Sequence, residues 1–289
     1  MENILKLLPS HIREELKKLA FESIEEIRLK INSPVFVYTR QGEHILFKNG
    51  KTITALKEDI DCILRCATGN SLYAYSEDIK NGFITVKGGH RIGISGRMIY
   101  DNKTVLAIRD INGLNIRISG KEKRISGNVI SFVYNDNVLK NTLIVAPPKC
   151  GKTTLLRDIV RAMSDEKKER VVLIDERDEL ASVYEGINGC DVGKRTLVLS
   201  GYGKKEGFSH GIRGLSPTVI ACDEIGGRED IEILLEGIKR GVKIIATLHG
   251  EIEFLNEYKE AELFGRIIAL DENFTPFFFE KKGGSFCEL

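Results

Sequence analysis

The stretch TLIVAPPKCGKTTLLRDI (142–159) decides how the rest of this chain is read. Its opening TLIVA is a short, nearly continuous apolar run, as expected for a strand buried on both faces. A turn with two prolines and a glycine follows, and KTTLLRDI then begins a helical pattern. Between strand and helix, APPKCGKT (146–153) fits the phosphate-loop pattern except that Ala146 occupies the first glycine position. That chemistry needs a tight loop with inward backbone N–H groups, a lysine for β/γ-phosphates and a hydroxyl for magnesium. Gly151, Lys152 and Thr153 supply the glycine, the lysine and the hydroxyl. The expected binding segment is Ala146, Pro147, Pro148, Lys149, Cys150, Gly151, Lys152, Thr153 and Thr154, and Ala146 is tolerable because it ends a strand.

Further strands of the same kind surround the loop. VVLID (171–175), TLVLS (196–200), TVIAC (218–222) and KIIAT (243–247) alternate with helical patterns at 152–163 and 228–240. This is the grammar of a doubly wound α/β domain. Two of these strands end in acids. TVIACDEIGG (218–227) places Asp223 and Glu224 just past its apolar run, and VVLIDERDEL (171–180) does the same with Asp175 and Glu176. Asp223 is assigned to Mg2+ and Glu224 to orienting or deprotonating an attacking water. Glu176 is expected as a second carboxylate facing the phosphates, with one of the two acidic strands bordering the loop strand less directly. Thr247 and His249 end the next strand, where they could sense a γ-phosphate. No guanine-specifying NKxD motif is present, which favours ATP over GTP.

Upstream the pattern changes. Residues 2–21 read as one amphipathic helix, and EIRLKI (26–31), PVFVY (34–38) and HILF (44–47) as short strands. Helical stretches are expected at 56–67 and 71–80. FITVK (83–87), Gly88-Gly89 and HRIGIS (90–95) form a hairpin signal, followed by strands at 104–111 and 114–119. The expected organisation is an α+β domain with an antiparallel sheet over 1–125 and an α/β domain over 126–289. The boundary falls in SGKEKRISGN (119–128).

Composition agrees with two folded domains. At 289 residues the chain is about two domains long. Its net charge of +1 conceals 21 basic against 15 acidic residues in 1–135, and 22 against 27 in 136–289. A near-neutral chain does not suit non-specific coating of nucleic acid, and no basic stretch is interleaved with aromatics, so nucleic acid is not an expected partner. No stretch reaches the roughly 18 uncharged apolar residues of a membrane span, and the N-terminus lacks a signal peptide's apolar core. Six cysteines are too sparse for a disulfide scaffold and are expected reduced and mostly buried, in a cytoplasmic protein, with Cys150 alone placed for reactivity. The glycine-rich GKRTLVLSGYGKKEGFSHGIRGLSP (193–217) reads beyond its strand as a basic surface loop that could contact a partner, and Phe274, Phe277, Phe278 and Phe279 as a final strand burying two rings.

The C-terminal half resembles the ATPases of type II and type IV secretion and of type IV pili. Their Walker A loop, aspartate box, Walker B and histidine box correspond to APPKCGKT, LIDERDEL, SPTVIACDEIGG and TLHG. From NGFITVKGGHRIGISGR (81–97) through LNIRIS (114–119), GKTTLLRD (151–158) and RGLSPTVIACDEIGG (213–227), the chain also resembles the stage III sporulation protein AA family. Ala146 departs from that pattern, where a glycine is usual. The resemblance implies a RecA-like P-loop ATPase domain hydrolysing ATP in a ring, expected to be a hexamer, at the cytoplasmic face of a membrane. There it would drive assembly of, or transport through, a channel between mother cell and forespore, with membrane proteins of that channel as partners. Among Arg91, Arg97, Arg109 and Arg117, it implies that Arg97 and Arg109 serve as arginine fingers. It also marks Arg213, ahead of the Walker B strand. Two other functions fit the same core: a nucleic-acid translocase or helicase, revealed by ATPase stimulation with DNA or RNA, and a nucleotide-gated scaffold with little hydrolysis.

Overall fold

The computed structural model describes residues 2–19, 24–39, 41–101, 104–118 and 127–289. The chain divides into two compact units, one of Met1–Lys121 with Ser182–Gly189 and one of Glu122–Ala181 with Cys190–Leu289. Most of the expected linker, 119–126, lies outside the described residues. The return of 182–189 to the first unit is not foreshadowed by any composition change.

In the first unit, Pro9 splits the expected long N-terminal helix into α1 (Glu2–Leu7) and α2 (Ser10–Leu16), because proline has no N–H to continue the ladder. Helix α3 (Lys57–Ala67) forms as expected, whereas only Ser76–Lys80 of the 71–80 segment is helical. A six-stranded antiparallel sheet contains β1 (Ile24–Lys30), β2 (Phe36–Thr39), β3 (Gly42–Ile45), β4 (Phe83–Val86), β5 (His90–Asp101) and β6 (Thr104–Arg117), in the order β3-β2-β1-β6-β5-β4. Gly88 and Gly89, at φ 96° and 72°, make the β4–β5 turn. The two strands expected at 104–119 are one. A register shift between Arg109 and Gly113, with Asp110 at φ 49°, bulges the strand where the sequence suggested a break. Ile27, Leu29, Ile92, Leu114 and Ile116 are buried on one face.

The second unit has an eight-stranded sheet. Its strands are β7 (Thr142–Ala146), β8 (Val171–Asp175), β9 (Thr196–Ser200), β10 (Val219–Cys222), β11 (Lys243–His249), β12 (Arg266–Leu270), β13 (Pro276–Lys282) and β14 (Ser285–Glu288). They lie in the order β9-β8-β10-β11-β7-β12-β13-β14, parallel from β9 through β12 and antiparallel beyond. All five residues of β7 and of β8 are buried, as their apolar runs required. Neither acid-ended strand borders the loop strand; β11 does, with β10 next and β8 beyond it. Helices α4 (Lys152–Asp165), α5 (Lys204–His210) and α6 (Arg228–Lys239) belong to this unit.

Helix α5 corrects the reading of its segment as a loop. It continues into a π-helical turn, Gly211–Leu215, and Phe208, Ile212 and Leu215 pack on the core. A Cβ at Gly207 would fall 2.9 Å from Ile174, so this glycine permits close packing rather than a loop. The cysteines are less buried than expected: Cys150, Cys190 and Cys222 are buried, Cys62 is intermediate, and Cys66 and Cys287 are exposed.

Candidate functional site

Ligands of open α/β sheets bind beyond the carboxyl ends of the parallel strands, and the loop after β7 lies there. Lys149 and Gly151 take left-handed conformations, at φ 66° and 81°, which turn the chain sharply into α4. Ala146 is fully buried at the end of β7, and its carbonyl accepts from the N–H of Gly250 at 3.2 Å. Lys152, 5% exposed, donates to the carbonyls of Ala146 and Pro147, each at 2.8 Å, and faces His249 Nδ1 at 2.9 Å. Burial lowers the lysine's pKa, against the attraction of Asp223, Cys150 and Glu224. Cys150 is buried, with Sγ directed at the Pro148 carbonyl, 3.6 Å away.

The acids after β10 meet this loop. Thr153 Oγ1 donates to Asp223 Oδ2 at 3.0 Å, while the Thr247 hydroxyl donates to Asp223 Oδ1. The Glu224 N–H donates to Thr247 Oγ1 at 2.8 Å, fixing the turn in which Glu224 adopts φ 48°. The Glu224 carboxylate lies 3.0 Å from His249 Nε2 through Oε1 and 2.5 Å from Arg177 Nη1 through Oε2. Because an ammonium can only donate, His249 Nδ1 accepts from Lys152 and Nε2 carries the hydrogen given to Glu224. Burial raises the Glu224 pKa, but the hydrogen bond from His249 and the charges of Arg177 and Lys152 outweigh it and leave the carboxyl below its ordinary value. Lys152, His249, Glu224 and Arg177 thus form one polar chain from the loop to the turn after β8.

The acids after β8 do something else. Asp175, 2% exposed, accepts from the backbone N–H groups of Glu179, Leu180 and Ala181 at 2.8, 3.0 and 2.8 Å. Arg157 on α4 donates to the carbonyls of Glu179 and Leu180 at 2.7 and 2.6 Å. The turn 176–181 is therefore clamped from both sides. Glu176, expected to face the phosphates, pairs instead with Lys204, whose backbone N–H lies 3.2 Å from Oε1. Arg97 and Arg109 lie on β5 and β6 of the first unit, directly opposite one another and exposed. Arg213 is exposed in the π-helical turn, lining a cavity of about 390 Å³ with Lys205, Glu229, Glu232 and Arg240.

The structure thus brings Lys152, Thr153, Asp223, Glu224, Thr247 and His249 together and leaves Glu176 apart. Sequence reasoning missed Arg177 and Arg157. The only signal for Arg177 was its place two residues past a strand-ending aspartate.

A family model described as sporulation stage III, protein AA matches residues 1–281. Stage III sporulation protein AA of Bacillus subtilis (strain 168) is 38% identical over 257 residues, which cover 86% of this chain and 82% of that protein. Among solved structures, the Legionella pneumophila ATPase DotB aligns with a TM-score of 0.60 at 13% identity, over 91% of this chain and 76% of its own. The pilus retraction motor PilT, solved with bound ADP, aligns at 0.56 and 14%, over 99% of this chain and 81% of its own. These likenesses show a shared RecA-like fold, with the antiparallel sheet in the N-terminal part. With the family model spanning nearly all of its length, the chain belongs to the stage III sporulation protein AA family.

Proposed function

We propose that this chain is an ATP-hydrolysing, secretion-type ATPase that powers assembly of, or transport through, the channel between mother cell and forespore during sporulation. The observation that carries the reading is the convergence of Lys152, Thr153, Asp223, Glu224 and His249 at the ends of β7, β10 and β11. The Thr153 hydroxyl and an Asp223 carboxylate oxygen, 3.0 Å apart, are hard oxygen donors of the kind Mg2+ takes together with phosphate oxygens and waters. Bound there, Mg2+ would neutralise charge on the β- and γ-phosphates.

The chain's own residues would do the rest. Lys152 exchanges its protein partners for phosphate oxygens, and backbone N–H groups of 147–154 cradle the phosphates. Glu224 orients the water that attacks the γ-phosphorus as the bond to the β-phosphate oxygen breaks. Thr247 holds the Asp223–Glu224 turn, and His249, released by Lys152, reports the phosphate to Glu224. Arg97 and Arg109 supply positive charge to the transferring group. A hexameric ring bound to membrane proteins of the channel on the cytoplasmic side is the assembly this reading requires. Among the described residues no helix is long and apolar enough to cross a membrane, so partners would provide the attachment.

The test is to measure mass and ATPase rate together against protein concentration, for wild type and Lys152→Ala. Turnover should rise as oligomers form and vanish in the variant. Equal rates in the two proteins would refute hydrolysis at this loop, and full turnover from a strict monomer would refute the ring.

A further inference from the structure

The two faces of the first unit's sheet differ in chemistry. Residues directly opposite on neighbouring strands point to the same side, so the strand register lays each face out in rows. Val37, Ile27, Ile116, Ile92 and Ile84 form one row across β2-β1-β6-β5-β4, and all are buried. The rows on either side of it face the other way. One is Phe36, Arg28, Asn115, Gly93 and Phe83, and the other is Tyr38, Glu26, Arg117, Arg91 and Thr85. Arg28, Lys30 and Arg117 are exposed, while Phe36, Tyr38 and Phe83 are half-buried. Two guanidiniums lie on rings, Arg28 over Tyr38 at 5.2 Å and Arg91 over Phe83 at 4.6 Å. The acids beside them are engaged, since Glu26 pairs with Arg28 and Glu43 accepts from the Tyr38 hydroxyl. On this face a cavity of about 940 Å³ is lined by Arg28, Lys30, Phe36, Tyr38, Gly93 and Asn115, among others. Asn115 Oδ1 is shut away from solvent with no hydrogen-bond partner, a costly state for an amide oxygen.

We propose that this face binds single-stranded nucleic acid. Bases would stack on Phe36 and on the guanidinium planes of Arg28 and Arg91, and Lys30 and Arg117 would meet phosphates. The edge of a base carries N–H donors of the kind that Asn115 Oδ1 lacks, and Gly93 directly opposite adds no side chain to block its approach. A flat array of rings and guanidiniums suits splayed bases, whereas a duplex hides its base faces in its own stack. The linear sequence has no run of interleaved basic and aromatic residues because this one is assembled across five strands. The inference stands apart from the reading of the phosphate loop, which belongs to the other unit.

The probes are fluorescein-labelled oligo(dT) and oligo(rU) of about twelve nucleotides, followed by anisotropy with the full chain. Both should bind saturably, and a duplex of the same length should compete at least about 10-fold less well. Phe36→Ala should weaken binding roughly 10-fold. Arg117→Ala should lower the slope of log affinity against log salt by about 0.7. Asn115→Ala should weaken binding without lowering the denaturant midpoint, because it removes an unsatisfied oxygen. The chain contains no tryptophan, so Phe36→Trp is a single indole reporter that keeps a stacking ring, and the oligonucleotides should quench it at near wild-type affinity. That variant decides the matter should Phe36→Ala not fold. Tripolyphosphate with Mg2+, a probe of the phosphate loop, should not displace the oligonucleotide at matched ionic strength. No binding by wild type, equal competition by duplex, displacement by tripolyphosphate, an unquenched Phe36→Trp, or wild-type affinity in folded Phe36→Ala and Asn115→Ala would each overturn the assignment.

Discussion

A lysine ammonium has three hydrogens, and Lys152 spends all three inside the protein, on Ala146, Pro147 and His249. On the proposed reading an incoming phosphate would displace them, and release of His249 Nδ1 would then be felt by Glu224 on the other side of the imidazole. Glu224 is also restrained by Arg177, but that arginine side chain is 69% exposed, and exposed ion pairs contribute about 1 kcal/mol or less. The two residues should therefore separate in kinetics. Glu224→Gln is expected to retain nucleotide binding and lose about 100-fold or more in kcat, the scale of a water-activating group. Arg177→Ala should lose less than about 10-fold, with binding unchanged. A larger loss for Arg177 than for Glu224 would move water activation away from Glu224. None of this coupling was legible in the sequence, which shows that Lys152, Glu224 and His249 each end or follow a strand but not that they touch.

At the scale of elements, two acid-ended strands look alike in sequence and serve different ends. The residues downstream of each aspartate distinguish them. After Asp223 comes Glu224-Ile225-Gly226-Gly227, which leads away into α6, whereas the six residues after Asp175 fold back onto its own carboxylate. Asp175→Ala would strand three backbone N–H groups and should destabilise the protein by about 3 kcal/mol, visible as a lower denaturant midpoint. Glu176→Gln, at a partly exposed pair with Lys204, should cost about 1 kcal/mol or less and leave turnover near wild type. Abolished turnover in Glu176→Gln would restore Glu176 to the phosphates. The apolar strands, the loop and its helix were readable because hydrophobic pattern and turn chemistry are local properties. Helix α5 was not, since Gly203, Gly207 and Gly211 suggested a loop. Gly207 and Gly211, one turn apart, mark instead the face where the helix approaches Ile174 and Val172 closely.

For the molecule as a whole, the opposite charge of its two halves and the proposed role of Arg97 and Arg109, which lie outside the unit that holds the phosphate loop, bear on assembly. Arg97 and Arg109 are direct cross-strand partners, and like charges so placed repel, so the pair is suited to an anion that lies outside its own sheet. Arg109→Ala should therefore keep nucleotide affinity and lose about 10³-fold in turnover, as removal of an arginine finger does in related phosphoryl transfer. Whether the finger acts within one subunit or on its neighbour can be decided by mixing. Arg109→Ala carries an intact phosphate loop and Lys152→Ala carries intact arginines, and each alone should be inactive. In a head-to-tail ring built from equal amounts of both, a competent site arises wherever an Arg109→Ala loop meets a Lys152→Ala arginine, which restores about a quarter of wild-type turnover. Because the basic excess lies in the N-terminal half and the acidic excess in the C-terminal half, raising salt should reduce both the recovered rate and the oligomer mass. No recovery from a mixture that mass measurement shows to be co-assembled would place the arginine in the same subunit as the phosphates it serves, and wild-type turnover in Arg109→Ala alone would remove it from the reaction.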